Sequence, residues 1–500
     1  MRGPGRLACA AVGLACAAPS RALAYDVEVT GTTAAQGYEV ASPWGDVRVA
    51  RRRFVQTLGL GVYDLQGERV PGGPQLSARL RVRLDADFGI ERDEYTYDPA
   101  GRRFVPGLAP TPVDLMYGYV EGSRLAGGWL GFRLGRQYVV DSLGFWSFDG
   151  ALVRVTSPAY VQVEAYGGFE QRGGLPLSTS RYERGGVWRG DRAGYDAAVY
   201  PQFQAASSAP AWGVAAETAG LPFLHARIDY RKVWNQGTSV VQQIPEPTSG
   251  VLATTSGTRV SSERVGASLD ATLARVGAAQ AGVVYDLYAG LPSSVWASVD
   301  AFATRSLDLG ADVDFFRPTF DGDSIWNAFA SGPTRTLTGR ARLTPHRSWD
   351  VSASVGARGF SVEGDPGSWQ ATRATAASPG ATTELYDGLA TLRARLRLGA
   401  TRAGLHASGE AGERGRREGG DVTVARDFLG GRWTADARVS VYEWKDAVAA
   451  QGATTSFAWV VGGAVRPSEL SALRLEFEHD VNRLVGQRYR VLALLQVAAR

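Results

Sequence analysis

The chain has 500 residues, 44% hydrophobic and 10% aromatic, with 62 Gly, 2 Met and 2 Cys, which excludes both a disordered polymer and a disulfide-stapled scaffold. Its formal charge of +4 falls to +1 without Arg2, Arg6 and Arg21, which no acid accompanies in the first 24 residues. The high pI of about 9.0 is therefore no argument for a nucleic-acid partner.

In chain order, the first segment reads as a secretory signal peptide spanning residues 1–24. Arg2 and Arg6 form a positive start, Leu7 to Ala18 an apolar run, and Ala22-Leu23-Ala24 a small-x-small cleavage site that makes Tyr25 the mature N-terminus. Both cysteines, Cys9 and Cys16, lie inside that segment. A chain beginning at Tyr25 thus has no thiol, which suits an oxidising compartment and excludes a Cys nucleophile or Cys-ligated metal. Residues 25–53 read as a periplasmic extension or a first strand, and residues 54–500 as one continuous domain.

No later stretch approaches the roughly 18 consecutive apolar residues of a membrane-spanning helix. The dominant signal is alternation with period two. Between residues 76 and 89, Leu76, Ala78, Leu80, Val82, Leu84, Ala86 and Phe88 share one side, while Arg79, Arg81, Arg83, Asp85 and Asp87 share the other. The pattern returns at Val161, Val163 and Ala165 against Gln162 and Glu164, and at Leu392, Ala394, Leu396 and Leu398 against Arg393, Arg395 and Arg397. It continues with Trp433, Ala435, Ala437, Val439 and Val441, then Leu473, Leu475 and Phe477, and finally Tyr489, Val491, Ala493, Leu495 and Val497.

Many of these segments run about 10 to 13 residues, the span of a tilted membrane strand and longer than the five or six usual in soluble sheets. Connections alternate as well. Brief turns near 125–128, 157–158, 275–277, 345–348, 429–432 and 467–469 interleave with long polar or Gly/Pro-rich loops at 90–113, 171–194, 235–258, 317–334 and 361–384. A soluble sandwich alternates in hydropathy but has no reason for one-sided loops. The expectation is an all-β fold, a single transmembrane antiparallel β-barrel of about 22 strands within a range of about 20 to 24, short turns to the periplasm and long loops outside. Residues 205–234 leave room for one strand or three.

Residues 117–150, YGYVEGSRLAGGWLGFRLGRQYVVDSLGFWSFDG, resemble a hairpin of general bacterial porins: a Tyr-x-Glu strand, a Gly turn, a Leu-x-x-Gly-Arg-Gln strand and an aromatic-Asp-Gly at the next strand. The resemblance implies an outer-membrane channel. The chain departs from that class at its end, Val497-Ala498-Ala499-Arg500, where such barrels usually carry an aromatic residue read by the barrel-assembly machinery.

The candidate site residues are lumen-facing charge ladders: Arg79, Arg81, Arg83, Asp85 and Asp87, then Arg133, then Arg393, Arg395 and Arg397. They must face inward, since an arginine on the lipid face near the midplane costs about 2 to 4 kcal/mol. Either they form a basic wall that favours anions, or they pair with acids on neighbouring strands; the sequence alone leaves both open. Arg136 falls on the outward row after Leu130, Phe132 and Leu134 and marks a membrane boundary. Trp129, Trp188, Trp234, Trp433, Trp444 and Tyr489 are candidates for interfacial girdles or lumen filling.

His225, His346, His406 and His479 show no ligand spacing, and His479 and Asp480 point to opposite faces. Asp321-Gly322-Asp323 lacks the remainder of a calcium loop. No catalytic residue, metal or cofactor is expected. The leading reading is a porin-like channel for passive diffusion of small hydrophilic solutes, with outer-membrane lipid as its surroundings. The alternatives are a sheath for a periplasmic partner such as a multihaem cytochrome or secretion component, and a barrel hydrolase.

Overall fold

The computed structural model describes residues 25–67, 70–87, 113–171, 209–236, 257–319, 332–363, 382–446, 453–484 and 486–499. They form 22 strands. The first group is β1 (Asp26–Ala41), β2 (Val47–Tyr63), β3 (Gln75–Asp87), β4 (Val113–Arg124), β5 (Leu130–Asp141), β6 (Gly144–Ser157) and β7 (Val161–Glu170). There follow β8 (Pro210–Thr218), β9 (Leu224–Gln236), β10 (Thr258–Leu273), β11 (Gly277–Asp286), β12 (Leu291–Phe302), β13 (Leu307–Phe316), β14 (Thr334–His346) and β15 (Trp349–Glu363). The last are β16 (Thr382–Leu398), β17 (Thr401–Gly412), β18 (Gly415–Phe428), β19 (Trp433–Asp446), β20 (Thr454–Ser468), β21 (Ser471–Asn482) and β22 (Gly486–Ala499).

Every strand pairs antiparallel with its sequence neighbours, and β1 pairs with β22 from Val29↔Ala499 to Ala41↔Gln487, so the sheet closes without an edge. Residues 205–234 contribute parts of two strands, β8 and β9. One rung passes through Val29, Leu60, Leu80, Gly118, Arg136, Asp149 and Phe169, climbing from the start of β1 to the far end of β7. That climb is the stagger of a closed, tilted barrel. At about 4.8 Å between strands and a tilt of about 40°, 22 strands enclose a circumference of roughly 140 Å.

Alternation fixes the two faces. Each strand presents at least one exposed aliphatic residue outward, among them Leu80, Leu134, Ile228, Leu337, Val355, Leu475 and Val491. A continuous apolar exterior on a closed sheet is the form in which strands cross a bilayer with every backbone group satisfied. The chain is an integral outer-membrane β-barrel.

The predicted brief turns, and the 399–400 turn where Gly399 takes φ 56°, all fall at one end together with both ends of the described chain. That end is periplasmic. The predicted long loops all connect strands at the opposite end, and most of their residues lie outside the described set. Exposed Trp129, Tyr160, Phe223, Trp349 and Trp433 ring the short-turn end. Outward Phe169, Trp212, Tyr386, Phe457 and Tyr489 mark the other.

One hairpin leaves the wall. The β4–β5 ladder stops at Gly118↔Arg136 and the β6–β7 ladder at Phe148↔Glu170, whereas β5 and β6 stay paired up to Asp141↔Gly144. The tip reaches the inner face of β9 and β10: Ser142 Oγ donates to Asp229 Oδ2 at 2.8 Å, and Arg231 Nη2 donates to the Leu143 carbonyl at 3.2 Å. Val139, Trp146 and Phe148 pack with Tyr166, Ala211 and Val233 in an apolar cluster inside the barrel. Glycines make the bend fit. Gly135, Gly150 and Gly168 lie on one rung, and a Cβ on Gly150 would enter the Gly167 carbonyl oxygen.

Candidate functional site

The inner wall is charged along nearly its whole circumference, and most of that charge is neutralised locally. On β6 to β9, Arg227 donates to Glu217 and Asp229, both at 2.7 Å, and Arg154 pairs with Glu164 at 2.6 Å. On β12 to β14, Arg340 is held by Asp300 at 2.7 Å and by Asp312 and Ser298. Near closure, Asp436, Arg474, Glu476, Arg490, Glu478, Arg488 and Asp480 form one alternating chain of ion pairs. Alternate residues share a face, so opposite charges on adjacent strands meet without long side-chain excursions.

The β16 ladder differs. Arg393, Arg395 and Arg397 face inward, opposite Ser352 and Asp350 on β15 and opposite His406, Gly404 and Arg402 on β17. The acids in reach are already taken: Asp350 accepts from Arg342 at 2.6 Å, and Asp427 accepts from Arg402 at 3.0 Å. Among the described residues, none of the three arginines makes an ion pair of its own. Arg395 and Arg397 open onto a recess of about 880 Å³ shared with Arg347, Arg402 and Arg438. The acids lining it, Asp350, Asp436 and Glu476, are bonded to Arg342, Arg474 and Arg490. The recess is an aqueous surface with surplus positive charge, suited to holding an anion loosely.

The β3 ladder also faces inward but is partly engaged with neutral groups. Arg81 Nη2 donates to Thr57 Oγ1 at 3.2 Å, and the Arg79 guanidinium stands 5.3 Å from the Tyr63 ring. Arg79 and Arg81 face Gly61 and Gly59 on β2, where the absent side chains leave space for the Tyr63 ring and for Thr30. Arg83 is 5% exposed. Asp85 and Asp87 belong to β3, and their side chains lie outside the description. Arg133 shares the face of Glu121, pairs with it at 3.0 Å and lies 4.7 Å over the Tyr119 ring.

Arg136 is on the outer face, but six residues up β5 from Leu130 it falls inside the apolar band and not at the boundary expected of it; its guanidinium makes a two-pronged bond to Asp149 at 2.7 and 2.9 Å. Trp444 faces the lumen beside Tyr442 at the extracellular mouth, whereas Trp234, Trp433 and Tyr489 face outward. Trp188 and Asp321 to Asp323 lie outside the described residues.

Sequence spacing missed the cross-strand contacts of the histidines. His406 Nδ1 meets Asp421 Oδ2 at 3.1 Å within the lumen, and His479 stacks outward on Tyr489 with ring centres 4.4 Å apart. Among the described residues, no serine hydroxyl hydrogen-bonds to His406, and no cluster of three or more His, Cys, Asp or Glu could hold a metal ion. The inward hairpin was also missed. Its signal was the run Tyr138-Val139-Val140 and Phe145-Trp146, apolar on both faces where a lipid-and-water strand would alternate.

No known protein family's sequence profile matches the chain, and no curated protein matches it in sequence. Among solved structures, OpdK of Pseudomonas aeruginosa, crystallised with vanillate, is 11% identical, with 95% of this chain and 98% of that chain covered and a TM-score of 0.39. OccAB2 of Acinetobacter baumannii is 8% identical over 95% and 98% of the two chains, with a TM-score of 0.43. OpdL of Pseudomonas aeruginosa is 8% identical over the same shares, with a TM-score of 0.41.

Proposed function

We propose that the barrel is a passive channel for small hydrophilic solutes and that its β16 wall favours anions. The observation that carries this reading is the ladder Arg393, Arg395 and Arg397, without ion pairs among the described residues while the acids around it are occupied. Fixed charge on a pore wall raises the local concentration of the opposite ion, so unpaired arginines favour anions. Paired ones would leave no net field.

The inward hairpin supports a channel over a sheath, because it occupies lumen space that an enclosed protein would need. The test is reversal potential across a planar bilayer under a KCl gradient. Wild type should favour chloride, and Arg393→Ser/Arg395→Ser/Arg397→Ser should shift the reversal potential toward the cation side while single-channel conductance persists. An unchanged ion preference in the triple variant would remove the ladder from the account. A pure barrel that conducts nothing would remove the channel.

A further inference from the structure

Where the β5–β6 hairpin turns inward, it leaves a seam in the barrel wall. The β4–β5 ladder runs only from Gly118↔Arg136 to Gly122↔Phe132, so the two strands share no rung from Val113 to Tyr117 on one side or from Gln137 to Asp141 on the other. Arg136 lies six residues up β5 from Leu130. At about 2.5 Å of height per residue, that is roughly 15 Å, within an apolar band about 25 Å tall. The seam therefore opens at the depth of the outer leaflet.

Unpaired backbone at that depth is tolerated where it lines a cavity, not where it meets lipid directly. The fold closes the lower lip of the seam with one side chain: Arg136, neutralised by Asp149, donates Nη1 to the Leu115 carbonyl at 3.0 Å. Above that lip the lining is aromatic and aliphatic. Just below the lip, on the rung Tyr119↔Gly135, Tyr119 lies buried on the lumen face beneath Arg133. Its ring centre is 5.8 Å from that of Tyr117, which is 5.9 Å from Tyr138, which is 5.5 Å from Phe145. Val113 and Val140, on the two edges, are 65% and 70% exposed.

We propose that this seam is a lateral passage between the lumen and the outer leaflet for small apolar or amphipathic molecules, whose apolar bodies slide along Tyr117, Tyr138 and Phe145. It is a second route, separate from the axial path past the β16 arginines. A charged solute gains little from it, because aromatic rings and a few phenol hydroxyls do not replace an ion's hydration shell. An apolar solute gains a way into the membrane that bypasses the charged headgroups outside.

The test closes the seam chemically. The chain's own cysteines, Cys9 and Cys16, both precede Tyr25, so a chain starting there carries only introduced thiols. Tyr117→Cys/Tyr138→Cys is bridged with a short bis-methanethiosulfonate and released with reductant, which makes the same molecules their own control. Two quantities are read: uptake of N-phenylnaphthylamine by cells displaying the barrel, and KCl conductance of the purified chain in planar bilayers. The bridge should lower dye uptake several-fold, reductant should restore it, and conductance should stay unchanged. Uptake that ignores the bridge, or that falls together with conductance, overturns the lateral passage; the second outcome places the dye on the axial route. If the first pair does not assemble, Val113→Cys/Val140→Cys spans the same edges.

Discussion

Arg231 illustrates what a single inner-wall charge does here. It is 6% exposed, lies 5.2 Å from the Trp146 ring, donates to the Leu143 carbonyl and stands 3.6 Å from Asp141. It thereby clamps the hairpin tip to β9. Arg231→Met would leave the Asp141 carboxylate buried without its counter-charge, and breaking a buried pair from one side costs about 3 to 5 kcal/mol. Amide exchange at Val139 to Trp146 should accelerate in that variant, and Asp141→Asn/Arg231→Met should recover most of the loss. A double variant as labile as the single one would show that Arg231 acts through packing alone. The inward direction of Arg79, Arg81, Arg133 and Arg393 was legible from alternation, because a side chain's face follows from its parity. Their pairing was not legible. Whether Arg395 is neutralised depends on cross-strand register, which sets Asp350 beside it, and on Arg342, which engages that carboxylate first.

Among the elements, the β5–β6 hairpin departs most from its sequence pattern. Tyr138, Val140 and Phe145 keep the parity of lipid-facing residues, yet the tip they belong to has left the wall. Only tertiary contacts, above all those of Ser142 and Leu143 with β9 and β10, determine where the tip goes. The glycine rung makes the departure sterically feasible, so it offers a lever. In Gly150→Val the new side chain collides with the Gly167 carbonyl, and crowding of this kind costs about 1 to 3 kcal/mol. The unfolding free energy from urea titration should fall by that amount, and proteolysis at the 142–143 turn should rise while the rest of the barrel stays protected. Uniform loss of protection would instead assign the rung to global stability.

For the whole molecule, the physical claim is that the outer face meets hydrocarbon and the inner face meets water. Strand number, loop sidedness and face assignment were readable in advance because all three derive from period-two alternation and chain direction. Barrel closure through β1 was not, since the pairing of Asp26–Ala41 with β22 involves residues at opposite ends of the sequence. Two neighbouring rows separate a membrane barrel from a soluble one. Val355, 67% exposed, points outward from β15, and Thr338 points into the lumen from β14. An arginine at a lipid-facing midplane position costs about 2 to 4 kcal/mol, whereas a lumen substitution mainly tunes selectivity. Val355→Arg should therefore lower the folding free energy measured by tryptophan fluorescence in lipid vesicles, while Thr338→Arg leaves it nearly unchanged and shifts ion preference toward anions. In water the order reverses, because Val355 would then be an exposed hydrophobe that gains solubility from the charge. A Val355→Arg chain that refolds as well as wild type in vesicles would mean that this row does not touch lipid.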